Sequence, residues 1–118
     1  MRLEGNFYNI DSIAAVEDGY TATLTLAAQH PIYQGHFPSQ AVVPGVCTLT
    51  IIREIIGRIL QRDVHFVTIK ECKYLSALIP TEGLQVVLNI TITENKVRAT
   101  AVRVADNQTA LKLRAEIE

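Results

Sequence analysis

The feature that most constrains the fold is one stretch of helical periodicity, from Gly45 to about Gln61, in a chain whose other patterns are those of strands. Gly57 lies inside this stretch and costs about 1 kcal/mol relative to alanine, so the helix must be stabilised by packing. Its apolar residues recur every three to four positions and form one wide face: Val46, Leu49, Ile52, Ile55, Ile56, Ile59 and Leu60. The sequence therefore predicts one apolar helix around which the rest of the chain folds.

Strand patterns lie on both sides of this helix. Before it, residues 8–16 and 20–28 are predicted strands joined by a turn at 17–19, and the second of them alternates apolar and threonine positions. After it, four strands are predicted at 66–75, 84–93, 97–104 and 110–117. Strands gathered around a lone helix predict an α+β domain whose antiparallel sheet wraps the helix. Because such a sheet leaves edges to protect, we expect self-association through strand edges.

Length and composition indicate the broad class of protein. The 118 residues predict a single domain over 1–118, and the 48% of apolar residues suffice for a core. A net charge of -1 favours neither nucleic acid nor an anionic membrane surface. Since no apolar leader or membrane-length run is visible, we expect a cytoplasmic protein without a membrane span. Cys47 and Cys72 are predicted to be small core residues rather than a disulfide or a zinc site.

A loop predicted over residues 30–44 carries the candidate chemistry. Its three prolines favour a shaped loop rather than a strand or helix. The loop places His36, a side chain suited to moving protons near neutral pH, just ahead of the helix start at Gly45. The free amides of a helix start can donate to a polarised carbonyl, so a base and an oxyanion donor would lie together. The alternative is that His36 is a structural or surface histidine.

The other two histidines suggest no additional site. His30 precedes His36 by six residues, but no cysteine or carboxylate cluster accompanies the pair, so we expect no metal site. His65 is interpreted as an exposed residue where a strand begins.

The motif around His36 resembles a known family. Gly35-His36-Phe37-Pro38 and Val43-Pro44-Gly45-Val46 are spaced as G-H-F-P-x-x-x-x-x-P-G-V. This pattern is similar to that of the (3R)-3-hydroxyacyl-acyl carrier protein dehydratases of the hot-dog fold. The resemblance implies dehydration of a 3-hydroxyacyl thioester, linked to acyl carrier protein or coenzyme A, to the trans-2-enoyl thioester. It also implies a homodimer or a larger assembly of dimers, and no cofactor.

The resemblance assigns roles to individual positions. His36 matches the catalytic histidine, which takes the α-proton, and the Gly45 amide matches the group that binds the thioester carbonyl. The Val42 carbonyl matches the group that orients the histidine ring. Phe37 and Val46, from the same motif, are expected to contact the substrate.

One position departs from the family, which has an aspartate or glutamate fourteen residues after the histidine. This chain has Thr50 there. Thr50 could hold a water or the substrate hydroxyl while His36 performs both proton transfers, or Glu54, one helical turn further on, could replace the acid. Alternatively, the chain is a non-catalytic acyl-binding or assembly subunit, or a hot-dog thioesterase.

Two further groups of residues could have a functional role, but each can also be explained by a structural role alone. An acyl tunnel beside the helix could have Ile51, Ile52 and Ile55 as wall residues, although simple core packing is the favoured interpretation of each. A docking patch for an acidic carrier protein could be formed by basic residues that otherwise belong to a solvated face, namely Arg53, Arg58, Arg62, Lys70 and Lys73.

Overall fold

A computed structural model describes residues 2–34, 42–81 and 83–118. The elements of the described part are six strands and two helices. In chain order they are β1 (Tyr8–Val16), β2 (Gly19–Leu26), α1 (Pro31–Gln34), α2 (Gly45–Leu60), β3 (Phe66–Tyr74), β4 (Gln85–Thr93), β5 (Lys96–Arg103) and β6 (Thr109–Ile117). The six predicted strands and the predicted long helix are therefore confirmed.

The short helix α1 corrects the prediction that residues 30–44 hold no helix. Pro31 occupies the first helical position, where its missing N–H removes no hydrogen bond. The Ile32 amide donates to Nδ1 of His30 at 3.2 Å, and the Tyr33 amide donates to the His30 carbonyl at 3.0 Å. His30 thus caps the helix, and a proline that suggested irregular backbone instead begins it.

The six strands form one antiparallel sheet in the order β1-β2-β4-β5-β6-β3. Because α2 lies between β2 and β3 in sequence, the chain leaves the sheet after β2 and returns at its far edge. β3 pairs with β6 on one side and is the last strand of the sheet. β1 is the corresponding edge strand at the other end.

The buried face of α2 packs with the inward side chains of the strands into one core. Ile51, Ile52 and Ile55 are at most 2% exposed and belong to this core, which agrees with the packing interpretation of these residues. Val46 is the exception to the predicted apolar face, since 62% of it is exposed.

The end of α2 explains the glycine within it. Gln61 adopts a left-handed conformation with φ of 58°, and the Arg62 amide donates to the Gly57 carbonyl at 3.1 Å. A Cβ at position 57 would lie 2.9 Å from the Arg62 carbonyl oxygen. Glycine therefore lets the chain turn back closely over the last turn of the helix.

The two cysteines differ in burial, and both are free thiols. Cys47 is buried in the core, as predicted, whereas Cys72 is only partly buried on β3 and packs against the core from its margin. His65 is exposed where β3 is about to begin, as expected. Within the ranges that the structure describes, neither helix has the length and apolarity needed to cross a membrane.

Candidate functional site at the start of helix α2

The N-terminus of α2 presents backbone donors without a side-chain cap. Pro44 is the capping residue, and its carbonyl accepts from the Cys47 amide at 2.9 Å and the Thr48 amide at 3.3 Å. No acceptor among the described residues bonds to the amides of Gly45 and Val46. These two N–H groups lie at the positive end of the helix dipole, where a polarised carbonyl oxygen is stabilised.

A groove of about 340 Å³ runs beside this helix start. The Val43 amide donates to the Leu78 carbonyl at 2.8 Å, which holds the segment before α2 against the connection that follows β3. The groove is lined mainly by small and apolar groups: Val42, Val43, Gly45, Thr48, Tyr74, Leu75, Ser76, Ala77, Leu78, Ala110 and Leu111. Two of the predicted substrate-binding residues, Val42 and Gly45, are therefore brought to one groove.

The remaining predicted site residues have different positions. Val46 follows Gly45 on the first turn of α2, and its side chain is exposed beside the groove rather than lining it. His36 and Phe37 fall outside the described residues, so their assignment stays a prediction.

Tyr74, the last residue of β3, packs directly against Gly45. A Cβ built on residue 45 would lie 2.5 Å from Cε1 and 2.8 Å from Oη of Tyr74. Glycine at this position therefore gives the tyrosine room beside the amides of Gly45 and Val46. The sequence did not predict Tyr74 as a site residue. Tyr74 is far from Gly45 in sequence, and the two meet only because β3 forms the far edge of the sheet, next to the start of α2.

The Tyr74 hydroxyl stays protonated over the neutral range. Burial, followed by a hydrogen bond to Cys72 and the charge of that thiol when ionised, raises the pKa of Tyr74 to about 12. The residue as a whole is 58% exposed, but its hydroxyl end lies against Gly45. It therefore offers a neutral hydrogen-bond donor at the groove.

Thr50 lies one turn into α2, and its hydroxyl is already engaged. Its Oγ1 donates to the Val46 carbonyl at 2.9 Å, a bond to the preceding turn of the same helix. A threonine hydroxyl has one proton and two acceptor lone pairs. In this geometry the Thr50 proton is bonded to the Val46 carbonyl, and the oxygen lone pairs can accept a hydrogen bond from a ligand.

Glu54 is used to anchor the N-terminal segment. Its carboxylate accepts from the Leu3 amide at 2.8 Å, the Glu4 amide at 3.0 Å and the Tyr8 hydroxyl at 2.9 Å. Burial and, next, the bond to Glu54 raise the pKa of Tyr8, which keeps this phenol a donor. Three donors on one carboxylate argue against the alternative in which Glu54 replaces the family's acid.

The anchored N-terminal segment also contacts α1 and the residue that caps it. The Phe7 ring contacts His30 edge to face at 5.1 Å between centroids and Tyr33 at 5.5 Å. The Ala27 amide donates to the Phe7 carbonyl at 2.8 Å, and the Tyr33 hydroxyl donates to the Ala27 carbonyl at 2.8 Å. Glu54 thus connects α2, through the N-terminal segment, to the short helix that precedes Gly35-His36 in sequence.

The basic residues of the predicted docking patch are interspersed with carboxylates. Arg58 contacts Glu4 at 3.0 Å, and Lys70 contacts Glu116 at 3.4 Å. A second groove, of about 550 Å³ along the C-terminal half of α2, is lined by arginines and acidic residues together: Arg2, Glu4, Arg53, Glu54, Gly57, Arg58, Gln61, Arg62, Asp63 and Val64. Such a mixture fits a solvated face rather than a patch of one charge.

An apolar surface lies along the edge strand β3 and beside the helix start. We call it the edge patch, and its five members are exposed although large and apolar: Val46, Val67 at 58%, Ile69 at 45%, Tyr74 and Leu75 at 52%. β3 has a partner strand on one side only. Exposed apolar side chains on an unpaired edge are typical of an association surface.

Comparison with known proteins gives a family and curated relatives. The family model of ApeI-like proteins, described as ApeI dehydratase, matches residues 12–113. The 3-hydroxyacyl-acyl-carrier-protein dehydratase FabZ of Rhodopseudomonas palustris strain TIE-1 is 27% identical over 90 residues, which are 67% of this chain and 60% of that protein. The FabZ of Histophilus somni strain 2336 is 31% identical over 74 residues, 61% of this chain and 48% of that protein. The chain therefore spans 60% or less of the length of these relatives.

Solved structures establish the fold. A chain of the dehydratase heterocomplex ApeI:P from Xenorhabdus doucetiae superposes with a TM-score of 0.78 at 21% identity, covering 92% of this chain and 95% of that one. A hypothetical thioesterase from Streptococcus pneumoniae TIGR4, solved with coenzyme A, gives 0.58 at 13% identity, covering 93% and 83%. The predicted hot-dog fold, an antiparallel sheet around a central helix, is thereby confirmed.

The role of Glu54 can be tested by Glu54→Gln, which keeps the shape of the side chain but removes its charge and places an amide N–H₂ among donors. We expect the free energy of unfolding to fall by about 1–3 kcal/mol, measured by urea denaturation, because buried donors lose an acceptor. Arg58→Ala is the matched control, since it removes only an exposed ion pair and should change stability by less than about 1 kcal/mol. Unchanged stability of Glu54→Gln would contradict the anchoring role.

Proposed function

Because this chain belongs to the ApeI-like dehydratase family, we propose that it dehydrates a 3-hydroxyacyl thioester to the trans-2-enoyl thioester. The observation that carries the proposal is the groove at the start of α2, where the Gly45 amide has no acceptor among the described residues. Curated relatives that match over part of their length are named as 3-hydroxyacyl-acyl-carrier-protein dehydratases. On this basis the substrate is an acyl chain on acyl carrier protein or on coenzyme A.

In the proposed reaction, the thioester carbonyl accepts a hydrogen bond from the Gly45 amide. The helix dipole adds positive potential there, and both effects stabilise the negative charge that develops on the carbonyl oxygen. His36 removes the α-proton, and the electron pair forms the Cα–Cβ double bond as the Cβ–O bond breaks. The hydroxyl group leaves as water after it gains a proton.

The other predicted residues hold the reactants in this scheme. The Val42 carbonyl orients the His36 imidazole, while Phe37 and Val46 contact the acyl group. Thr50 accepts a hydrogen bond from the substrate hydroxyl or from a water, which suits a side chain whose own proton is bonded to the Val46 carbonyl. The elimination needs a base, a proton donor and an oxyanion donor, so the proposal requires no cofactor.

The proposed partner of the chain is a second copy of itself, docked through β3. The unpaired side of β3 offers backbone donors and acceptors, and the apolar side chains of the edge patch would be buried in the same contact. The edge patch also includes Tyr74, which lies against Gly45. Dimerisation would therefore enclose the start of α2, and larger assemblies would form from such dimers.

A second candidate function, that of a non-catalytic acyl-binding or assembly subunit, is favoured by one observation. Thr50 stands where the resemblance implies a carboxylic acid, and Glu54 is held by the N-terminal segment. The Xenorhabdus doucetiae structure is described as a heterocomplex. In this candidate the chain pairs with an active paralogue, which supplies the acid. No observation comparable to this one favours a thioesterase.

The dehydratase proposal is tested by offering the purified protein 3-hydroxyacyl thioesters of several chain lengths, on acyl carrier protein and on coenzyme A. We expect enoyl product, and in His36→Ala a loss of turnover of at least about 10²-fold, because the base is removed. The control is His65→Ala, which changes an exposed histidine and should keep normal turnover. Normal turnover in His36→Ala, with circular dichroism showing both variants folded, would refute the assignment.

The dimer proposal predicts that Ile69→Glu dissociates the protein, since a charge would be buried at the contact between edge strands. Sedimentation velocity measures the change. Val16→Glu is the matched control, because Val16 is an exposed apolar residue on β1 at the opposite edge. Equal association of both variants and of the wild type would place the interface elsewhere.

The two candidate functions differ in their response to Thr50→Glu, which installs the family's carboxyl group. For an assembly subunit, turnover should appear only in this variant. For a dehydratase, the wild type should already be active. Thr50→Val serves as the control, since it keeps the size of the side chain without an acid. Turnover by the wild type equal to that of Thr50→Glu would exclude the assembly role.

A further inference from the structure

The proposed dehydration leaves one proton unassigned, the one that the departing hydroxyl group must gain. Thr50 donates its only hydroxyl proton to the Val46 carbonyl, and the Glu54 carboxylate accepts three hydrogen bonds at the N-terminal segment. Neither described side chain of this helix face therefore offers a proton. A weakly basic leaving group departs readily, but hydroxide is strongly basic and is a poor leaving group. The hydroxyl group therefore needs a proton donor, so that it can leave as water.

We propose that the Tyr74 hydroxyl is this proton donor, and hence a catalytic residue; the inference rests on the proposed dehydratase function. As His36 takes the α-proton, the Cα–H electron pair forms the double bond and the Cβ–O bond breaks. The departing oxygen takes the proton from Tyr74 Oη and leaves as water. The His36 imidazolium then releases its proton to solvent and the phenolate takes one up from solvent, so both groups regain their starting states.

The position of Tyr74 fits this role. Its Oη lies 2.8 Å from the place of a Cβ on Gly45, and standard backbone dimensions then put it within about 5 Å of the Gly45 nitrogen. In a 3-hydroxyacyl thioester the hydroxyl and carbonyl oxygens are separated by only three carbon atoms. One substrate can therefore place its carbonyl oxygen at the Gly45 amide and its hydroxyl at Tyr74.

The other hydroxyl groups that line the same groove are less suitable. The Ser76 hydroxyl donates to the Thr109 carbonyl at 2.9 Å. Thr48 is 5% exposed and lies on the buried side of α2. Tyr74 is the described hydroxyl-bearing residue of this groove with a largely exposed side chain, and its hydroxyl is hydrogen-bonded to the Cys72 thiol, a weak partner that a substrate oxygen can displace.

The acidity of Tyr74 also suits the step. A phenol with a pKa of about 12 remains protonated at neutral pH and can donate. Water has a pKa of about 15.7, so transfer of the proton to a departing hydroxide is favourable. The phenol is a weaker acid than the carboxyl group that the resemblance implies at position 50, so we expect a slower elimination than a carboxylic acid would support.

The test compares two leaving groups in Tyr74→Phe, which keeps the ring against Gly45 and removes only the hydroxyl. With a 3-hydroxyacyl thioester we expect kcat to fall about 10²-fold or more and KM to change little. With the matching 3-fluoroacyl thioester, fluoride leaves without needing a proton, so the variant should keep the wild-type rate. Tyr20→Phe, at the start of β2 away from the groove, is the control and should leave both rates unchanged.

The remaining outcomes separate this inference from the function on which it rests. An equal loss with both substrates would mean that Tyr74 only shapes the groove, and no loss with either would mean that it takes no part; each result overturns the inference alone. His36→Ala should lose both reactions, because both need the base. A wild-type protein inactive on both substrates would overturn the proposed function and the inference together.

Discussion

The packing of α2 against the single sheet is the interaction on which the rest of the structure depends. The chain has one long helix in the described part, and its isoleucines are almost fully buried among inward strand residues. Burial of such side chains contributes about 1.5–3 kcal/mol each, which stabilises a helix that contains Gly57. The same packing fixes the start of α2 beside the end of β3, and so brings Gly45 and Tyr74 into contact.

The fold uses one acidic residue of the helix as a structural anchor. Glu54 binds two backbone amides and a phenol of the N-terminal segment, and Phe7 of that segment contacts α1 through His30 and Tyr33. The carboxylate is therefore the first member of a series of contacts that extends from α2 to α1. The resemblance implies a catalytic acid on this helix face. The chain instead has Thr50, which is hydrogen-bonded to its own helix backbone, and then Glu54, which is hydrogen-bonded to the N-terminal segment.

Much of the fold could be predicted because its signals are local. The periodicity of residues 45–61 and the alternation within the strands depend on neighbouring residues, and the spacing of the motif is enough to bring Val42 and Gly45 to one site. The contacts that were missed are long-range: Glu54 reaches residues about 50 positions away in sequence, and Tyr74 reaches Gly45 only because β3 joins the far edge. α1 was missed because Pro31 both begins helices and interrupts them.

The edge patch and the groove share Tyr74, so association and chemistry would be coupled in this protein. The ring of Tyr74 belongs to the exposed apolar surface of β3, while its hydroxyl end lies at the helix start. Docking of a second copy along β3 would remove water from the surroundings of that hydroxyl and strengthen its hydrogen bonds in the lower local dielectric. The proposed proton transfer would then be most effective in the assembled protein, since the apolar contact that forms the dimer also encloses the donor.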